Sequence, residues 1–254
     1  LHDILNSLSI RARKADVLKL DTKKRYEIRL IMDFKEDKYL KKLYEDIQSK
    51  KKLLQSMCRQ KNLGKRESSQ RDQLVGELVK VSTEAKMDTA LSWIKELLEK
   101  DDEQLIIFAT SIDVMNTIHQ YISLKLGLTC FTINAKKNSL PAKRFQLVND
   151  FQKNKYRVAI LGLKACNSGI NLTPCFRTVY FQFDYVPGTL MQAECRTDRI
   201  GAVRQTEHYY LIGDNTYDDN IIEKIKKKDS VLSEIVDSEG SELLFDETTV
   251  YELN

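Results

Sequence analysis

Two rhythms of apolar residues alternate along most of this chain: spacings of three and four that fit one face of a helix, and short continuous runs that fit a buried strand. Over 84–100 the helical spacing carries Leu91, Trp93, Ile94, Leu97 and Leu98 and leads into the apolar run from Leu105 to Ala109. The pattern then predicts a helix over 113–125, an extended stretch over 128–133, a helix over 141–152 with Pro141 in its first turn, and an extended stretch over 158–163. A strand over 178–183, a helix from Pro187, a strand over 207–212 and a helix over 217–228 complete it. Five strands alternating with helices predict an α/β fold, a mostly parallel sheet with helices on both faces.

The two ends follow other patterns. Residues 26–32 alternate, with Ile28, Leu30 and Met32 on one side, and read as a short strand after a basic lead-in. From Glu36 to about Ser82 the pattern is helical and charged, with Tyr39, Leu40, Leu43, Tyr44 and Ile47 at spacings of three and four. It predicts a protruding helical element, interrupted near Asn62-Leu63-Gly64. From Asp229 onward the chain is expected to be weakly structured at best.

Composition narrows the classes. The 254 residues are 42% hydrophobic, enough for a real core, and no apolar run nears the roughly 20 residues of a membrane span. No signal peptide opens the sequence, and no membrane partner is expected. Five cysteines without a C-x-x-C pair suggest neither a disulfide framework nor a zinc site, and point to reduced thiols in cytosol or nucleus. The net charge is +4, yet 35–80 holds 13 Lys/Arg against 7 Asp/Glu, while 229–254 holds 8 acidic residues and no Lys or Arg. The basic zone suits a nucleic-acid backbone, and suits a solvated helical face equally well.

The chemistry concentrates in P-G-T-L-M-Q-A-E-C-R-T-D-R-I-G, Pro187 to Gly201. A helix there sets Gln192, Arg196 and Arg199 on one face, where two rigid guanidinium forks suit phosphate oxygens. The same residues also fit a surface helix with a Thr189/Gln192 capping box and arginines paired with Glu194 or Asp198. In a parallel sheet ligands collect beyond the carboxyl ends of strands. That places Thr110 and Ser111, Asn134 and Ala135, 164–171, and 184–188 at candidate positions. Thr110-Ser111 also reads as a helix cap, and G-L-K-A-C-N-S-G-I-N-L-T as a phosphate-approaching loop or an ordinary turn capped by Asn171. Gly64-Lys65-Arg66 is no P-loop, since position 59 is Arg59, and no G-x-G-x-x-G turn follows a strand.

These stretches resemble the Swi/Snf-type ATP-dependent DNA translocases of helicase superfamily two, over nearly the whole chain to about Lys228. Q-A-E-C-R-T-D-R-I-G from Gln192 is similar to the family's motif six, L-G-L-K-A-C-N-S-G-I-N-L-T from Leu161 to motif five, and L-I-I-F-A-T from Leu105 to motif four. R-A-R-K-A-D-V-L from Arg11 resembles the basic segment joining the two lobes. S-T-E-A-K from Ser82 and P-G-T-L-M-Q-A-E look most like the annealing-helicase branch, with nucleosome remodellers as the neighbouring alternative. Asp198, Ala202 and Tyr185-Val186-Pro187 depart from the family pattern.

The resemblance implies a second, RecA-like lobe of a two-lobed motor. It divides the chain into an inter-lobe linker and first strand (1–34), a helical protrusion (35–82), the lobe itself (83–228) and an acidic extension (229–254). Arg196 and Arg199 are implied as arginine fingers for ATP and Mg2+ held mainly on a first lobe, with Gln192, Gly169 and Asn171 facing nucleotide. Thr110, Ser111, Lys164, Asn167 and Ser168 are implied to touch DNA, duplex or forked, through its backbone. The implied partners are that DNA and the first lobe, the implied location is nuclear, and this chain by itself is expected not to hydrolyse ATP. A non-catalytic DNA- or protein-binding module of the same descent is the alternative.

Overall fold

The computed structural model describes residues 23–59, 65–134, 141–164, 172, 175–198, 204–236 and 245–253. Within them, β1 (Lys24–Ile31) is followed by helices α1 (Lys38–Cys58), α2 (Lys65–Ala85) and α3 (Met87–Glu99). Then come β2 (Leu105–Ala109), α4 (Ile112–Gln120), β3 (Cys130–Ile133), α5 (Pro141–Gln152), β4 (Val158–Gly162) and β5 (Arg177–Tyr180). The chain continues through α6 (Pro187–Glu194), β6 (Glu207–Gly213), α7 (Asp218–Val236) and β7 (Glu247–Glu252). The seven strands form one sheet in the order β3-β4-β2-β5-β6-β1-β7, and every pairing is parallel. This is a RecA-like α/β fold.

The period of two along each strand separates two cores. Ile106 and Phe108 of β2 join Leu161, Tyr180, Tyr210 and Ile212 on one face, beneath α1, α2, α5, α6 and α7. Leu105, Ile107 and Ala109 point the other way, to Ile160, Val179 and Leu211, beneath α3 and α4. All five β2 side chains are buried, which is why that strand reads as an unbroken apolar run. The helical pair α1–α2 sends Leu43, Ile47, Leu54, Leu74 and Leu78 into the first core. No helix among the described residues is long and apolar enough to cross a membrane.

Three expectations need correction. The sheet has seven strands, because the expected entry strand β1 joins the five alternating ones beside β6, and β7, which was not expected, pairs outside it. The acidic end is ordered where described: α7 runs to Val236, and β7 pairs with β1 from Tyr26↔Glu247 to Ile31↔Glu252. Asp246 anchors β7, accepting from the Arg25 backbone N–H at 2.7 Å and donating its own to the Arg25 carbonyl at 2.8 Å. The helix expected over 84–100 is also divided at Lys86, where α2 gives way to α3. The break near Asn62-Leu63-Gly64 falls on residues outside those described.

Candidate nucleic-acid and nucleotide face

Neighbouring strands β2 and β5 send their connections to opposite sides of the sheet, β2 to α4 on one face and β5 to α6 on the other. Such a reversal opens a crevice at the carboxyl ends of the two strands. Thr110 and Ser111 stand on its β2 side and Gln182 on its β5 side. Gln182 is buried, and its Oε1 accepts from the Thr110 N–H (3.1 Å), the Thr110 hydroxyl (3.2 Å) and the Ser111 N–H (2.9 Å). Its Nε2 donates to Thr83 Oγ1 at 3.0 Å, on the last turn of α2. The start of α4 is therefore satisfied across the crevice, not by its own hydroxyls: Ser111 is the N-cap and makes no side-chain capping bond. Thr110 is exposed, Ser111 half-buried, and Lys164 on the adjacent β4 exit is 83% exposed, 3.9 Å from Asp184. The register Ala109↔Gly162 puts the Lys164 and Thr110 loops at one level of the same rim.

The Pro187 helix differs from its expected form. Val186 is the N-cap with Pro187 in the first turn, the Thr189 N–H bonds to the Val186 carbonyl, and no side-chain cap forms, so the Thr189/Gln192 capping box is absent. The helix stops at Glu194, so Arg196 falls beyond it and does not continue the face of Gln192 as expected. Beyond the helix the bonding tightens to three-residue closures, Arg196 N–H to the Ala193 carbonyl (3.1 Å) and Thr197 N–H to the Glu194 carbonyl (3.0 Å), and the latter carbonyl also accepts from the Thr197 hydroxyl and the Asp198 N–H, each at 3.0 Å. Arg196 lies in that turn, and its carbonyl accepts from the Leu172 N–H at 3.1 Å, joining the turn to the end of the small-residue loop. Gln192 is exposed on α6. Arg199, Gly169, Asn171, Asn167 and Ser168 lie outside the described residues.

Beneath the turn sits a polar centre that the sequence pattern did not reveal. The Glu194 carboxylate is fully buried and takes two bonds from Arg25 (2.6 and 2.8 Å), one from Lys23 (3.0 Å) and one from the Tyr210 hydroxyl (2.8 Å). The expectation that Glu194 serves the arginines of its own segment gives way to partners on β1 and β6. Burial opposes its ionisation, but His208, Arg25 and Lys23 outweigh that and hold it below the ordinary carboxylate range. His208 is buried too, with Nδ1 2.6 Å from Thr178 Oγ1 and Nε2 3.3 Å from Thr206 Oγ1, and burial pulls its pKa from 6.5 down to about 4.

Both shifts are downward, so their stabilisation is complete at neutral pH and is lost on acidification. For His208 the loss falls between 6.5 and about 4 and amounts to about 3 kcal/mol. Urea denaturation midpoints across that window should drop with pH, and His208→Gln should flatten the drop.

A second buried pair lies under the rim. Lys86, fully buried, donates to the Leu211 carbonyl (2.7 Å) and to Asp218 (2.6 Å), with its ammonium 5.5 and 5.0 Å from the ring centroids of Phe181 and Phe183. Burial lowers its pKa against the pull of Asp218. Ser82, four residues earlier, accepts from the Tyr217 N–H at 3.0 Å. Gln182, Arg25 and His208 escaped sequence reasoning because their partners are distant in the chain, and Thr83 and Lys86 entered it only within S-T-E-A-K, with no partner assigned. A further signal was polar residues inside otherwise apolar runs.

A family model described as the helicase conserved C-terminal domain matches residues 89–201. The Drosophila melanogaster SWI/SNF-related matrix-associated actin-dependent regulator of chromatin subfamily A-like protein 1 is 37% identical over 155 residues, covering 61% of this chain and 20% of its own length. The mouse DNA annealing helicase and endonuclease ZRANB3 is 29% identical over 240 residues, covering 91% of this chain and 21% of its own. The chain thus spans about a fifth of the length of these curated relatives. The crystal structure of the C-terminal part of the Fun30 ATPase domain superposes with a TM-score of 0.64 at 17% identity, covering 82% of this chain and 90% of that one, and so shares its fold.

Proposed function

We propose that this chain, whose residues 89–201 match the helicase conserved C-terminal domain, is the C-terminal RecA-like lobe of a Swi/Snf-type helicase, the second motor lobe of an ATP-dependent double-stranded DNA translocase. In this reading Arg196 and Arg199 reach toward ATP held on a first lobe, with Gln192, Gly169 and Asn171 on the nucleotide side. Thr110, Ser111, Lys164, Asn167 and Ser168 face the DNA backbone. The observation that supports it most is the bond from the Leu172 N–H to the Arg196 carbonyl, which ties the phosphate-facing turn to the loop that faces DNA. The donors available, guanidinium, amide and hydroxyl, suit phosphate oxygens. Mg2+ would be held by carboxylates of the first lobe.

ATP supplies the free energy of phosphoryl transfer, and the residues of this chain orient and neutralise. The arginines match the charge that grows on the transferred phosphate, while the rim residues hold the strand through backbone contacts that carry little sequence information. The work of the parent is DNA annealing and fork remodelling, or chromatin remodelling, in the nucleus. The chain alone lacks a Walker A loop and should not turn over ATP. Steady-state ATPase of the chain above that of an Arg196→Ala, Arg199→Ala double variant would contradict this.

Duplex binding by the two-lobed parent should weaken steeply with salt and vary little with sequence. Fluorescence anisotropy with unrelated duplexes at two salt concentrations measures both, and a strong sequence preference would oppose the assignment. Asp198 and Ala202, where the family pattern has other residues, favour a second reading: a lobe kept for DNA or protein binding without coupling. DNA-stimulated ATPase in the intact parent rejects it.

A further inference from the structure

The rim crevice described above is bridged by a single amide, and this bridge also reaches the basic helical pair. We propose that Gln182 is a positioning residue that transmits the stance of the α1–α2 pair to the DNA-facing loop at Thr110 and Ser111. The inference rests on the reading of that loop as a strand contact.

An amide side chain offers an acceptor and a donor on one rigid plane, and Gln182 uses both ends. Its oxygen gathers three donors of the Thr110-Ser111 loop, and its nitrogen reaches Thr83. The Thr83 hydroxyl gives its own proton to the Val79 carbonyl at 2.8 Å, so it faces Gln182 as an acceptor. A hydroxyl committed in this way fixes the direction of the bridge.

The α2 end of the bridge is itself held. Within one turn of Thr83, Ser82 accepts from the Tyr217 N–H, and Lys86 binds the Leu211 carbonyl and Asp218. The Phe181 and Phe183 rings beneath the Lys86 ammonium flank Gln182 in sequence. The last turn of α2 is thus fastened to the carboxyl ends of β5 and β6 and, through Gln182, to that of β2. The same end of the pair carries charge outward: Lys38, Lys41 and Lys42 on the first turns of α1, where the Tyr39 hydroxyl bonds Glu84 of α2, and Lys80 on α2 are exposed. A pull of the phosphate backbone on that face has a two-bond route to Thr110 and Ser111. Without Gln182, the N–H groups of Thr110 and Ser111 at the start of α4 lose the acceptor that orders them.

The two arms of the amide can be cut separately in the two-lobed parent, with ATP turnover followed against duplex concentration. Gln182→Ala cuts both and should raise the half-stimulating duplex concentration about fivefold. Thr83→Val cuts only the α2 arm. It should leave the half-stimulating concentration unchanged and lower the maximal stimulation about threefold, with DNA-free turnover within about twofold of the parent. Gln182→Met keeps the bulk and cuts both arms without adding charge, so it should follow Gln182→Ala and serves if the alanine variant fails to fold. A plain loss of stability would not produce this split. A Thr110→Ala, Ser111→Ala double variant reports on the underlying reading. If it binds duplex as the parent does, the loop is no strand contact and the inference falls with that reading. If it weakens binding while Gln182→Ala and Thr83→Val change neither parameter, the inference alone is overturned.

Discussion

Alanine in place of Arg199 or Arg196, in the two-lobed parent with saturating ATP and DNA, lowers turnover by roughly a thousandfold or more. The expectation follows from what a guanidinium does in a phosphoryl-transfer site. It is permanently charged, it binds two oxygens at once, and it acts on charge that exists fully only in the transition state. Lysine at either position should rescue little, because a single ammonium cannot reproduce the fork. Duplex affinity should survive both substitutions, which separates a role at the nucleotide from one at DNA. Unaltered DNA-stimulated turnover in Arg199→Ala would remove that residue from the mechanism. Arg196 adds a structural argument, since its carbonyl already holds Leu172 and its turn is fixed by the Glu194 carbonyl.

The second large effect concerns the carboxylate of that same residue. Glu194→Ala should destabilise the fold by about 3–5 kcal/mol, because it removes a buried carboxylate that takes two bonds from the buried Arg25 guanidinium. Arg25→Ala should cost a similar amount for the reverse reason. The double variant should cost clearly less than the sum, since the residues share one interaction. Urea denaturation of the three variants at neutral pH gives the cycle. Strict additivity would mean that Lys23 and Tyr210 satisfy Glu194 on their own.

The part of the fold legible in the sequence is the part where one neighbourhood decides the outcome. Leu105–Ala109 and Pro141–Gln152 have the bounds that their apolar patterns predict, the first as a strand buried on both faces, the second as a helix opened by proline. β7 was hidden for the opposite reason. Glu247–Glu252 lies at the edge of the sheet, is exposed along nearly its whole length, and carries an acidic residue at each end, so its pairing with β1 leaves only Val250 and Tyr251 as an apolar trace.

The candidate site divides in the same way. Thr110, Ser111 and Lys164 stand just past strand ends, where the alternating pattern puts them. The helix end at Glu194, which leaves Arg196 beyond it, could not be read, because it is set by three-residue closures and a threonine hydroxyl bond in the turn beyond. Nor could the buried state of Glu194: an acid at the end of a short helix reads as surface, and its cation partner stands 169 residues away. Gln182 follows the same rule, with partners 72 and 99 residues distant.

The position of β1 in the sheet also governs how the molecule can assemble. β2, β3, β4 and β5 come from one continuous stretch and can pair as soon as residues 105–180 are available. β1 is made first yet lies between β6 and β7, and its Arg25 meets Asp246 across 221 residues. Until the chain beyond residue 207 exists, Ile28 and Leu30 have no sheet neighbour to cover them. A strand in that situation folds late and stays open to wrong pairings meanwhile. Amide protection during refolding should therefore arise in β2 through β5 before β1, and shortening the chain before residue 207 should leave β1 a site for chaperone capture or aggregation.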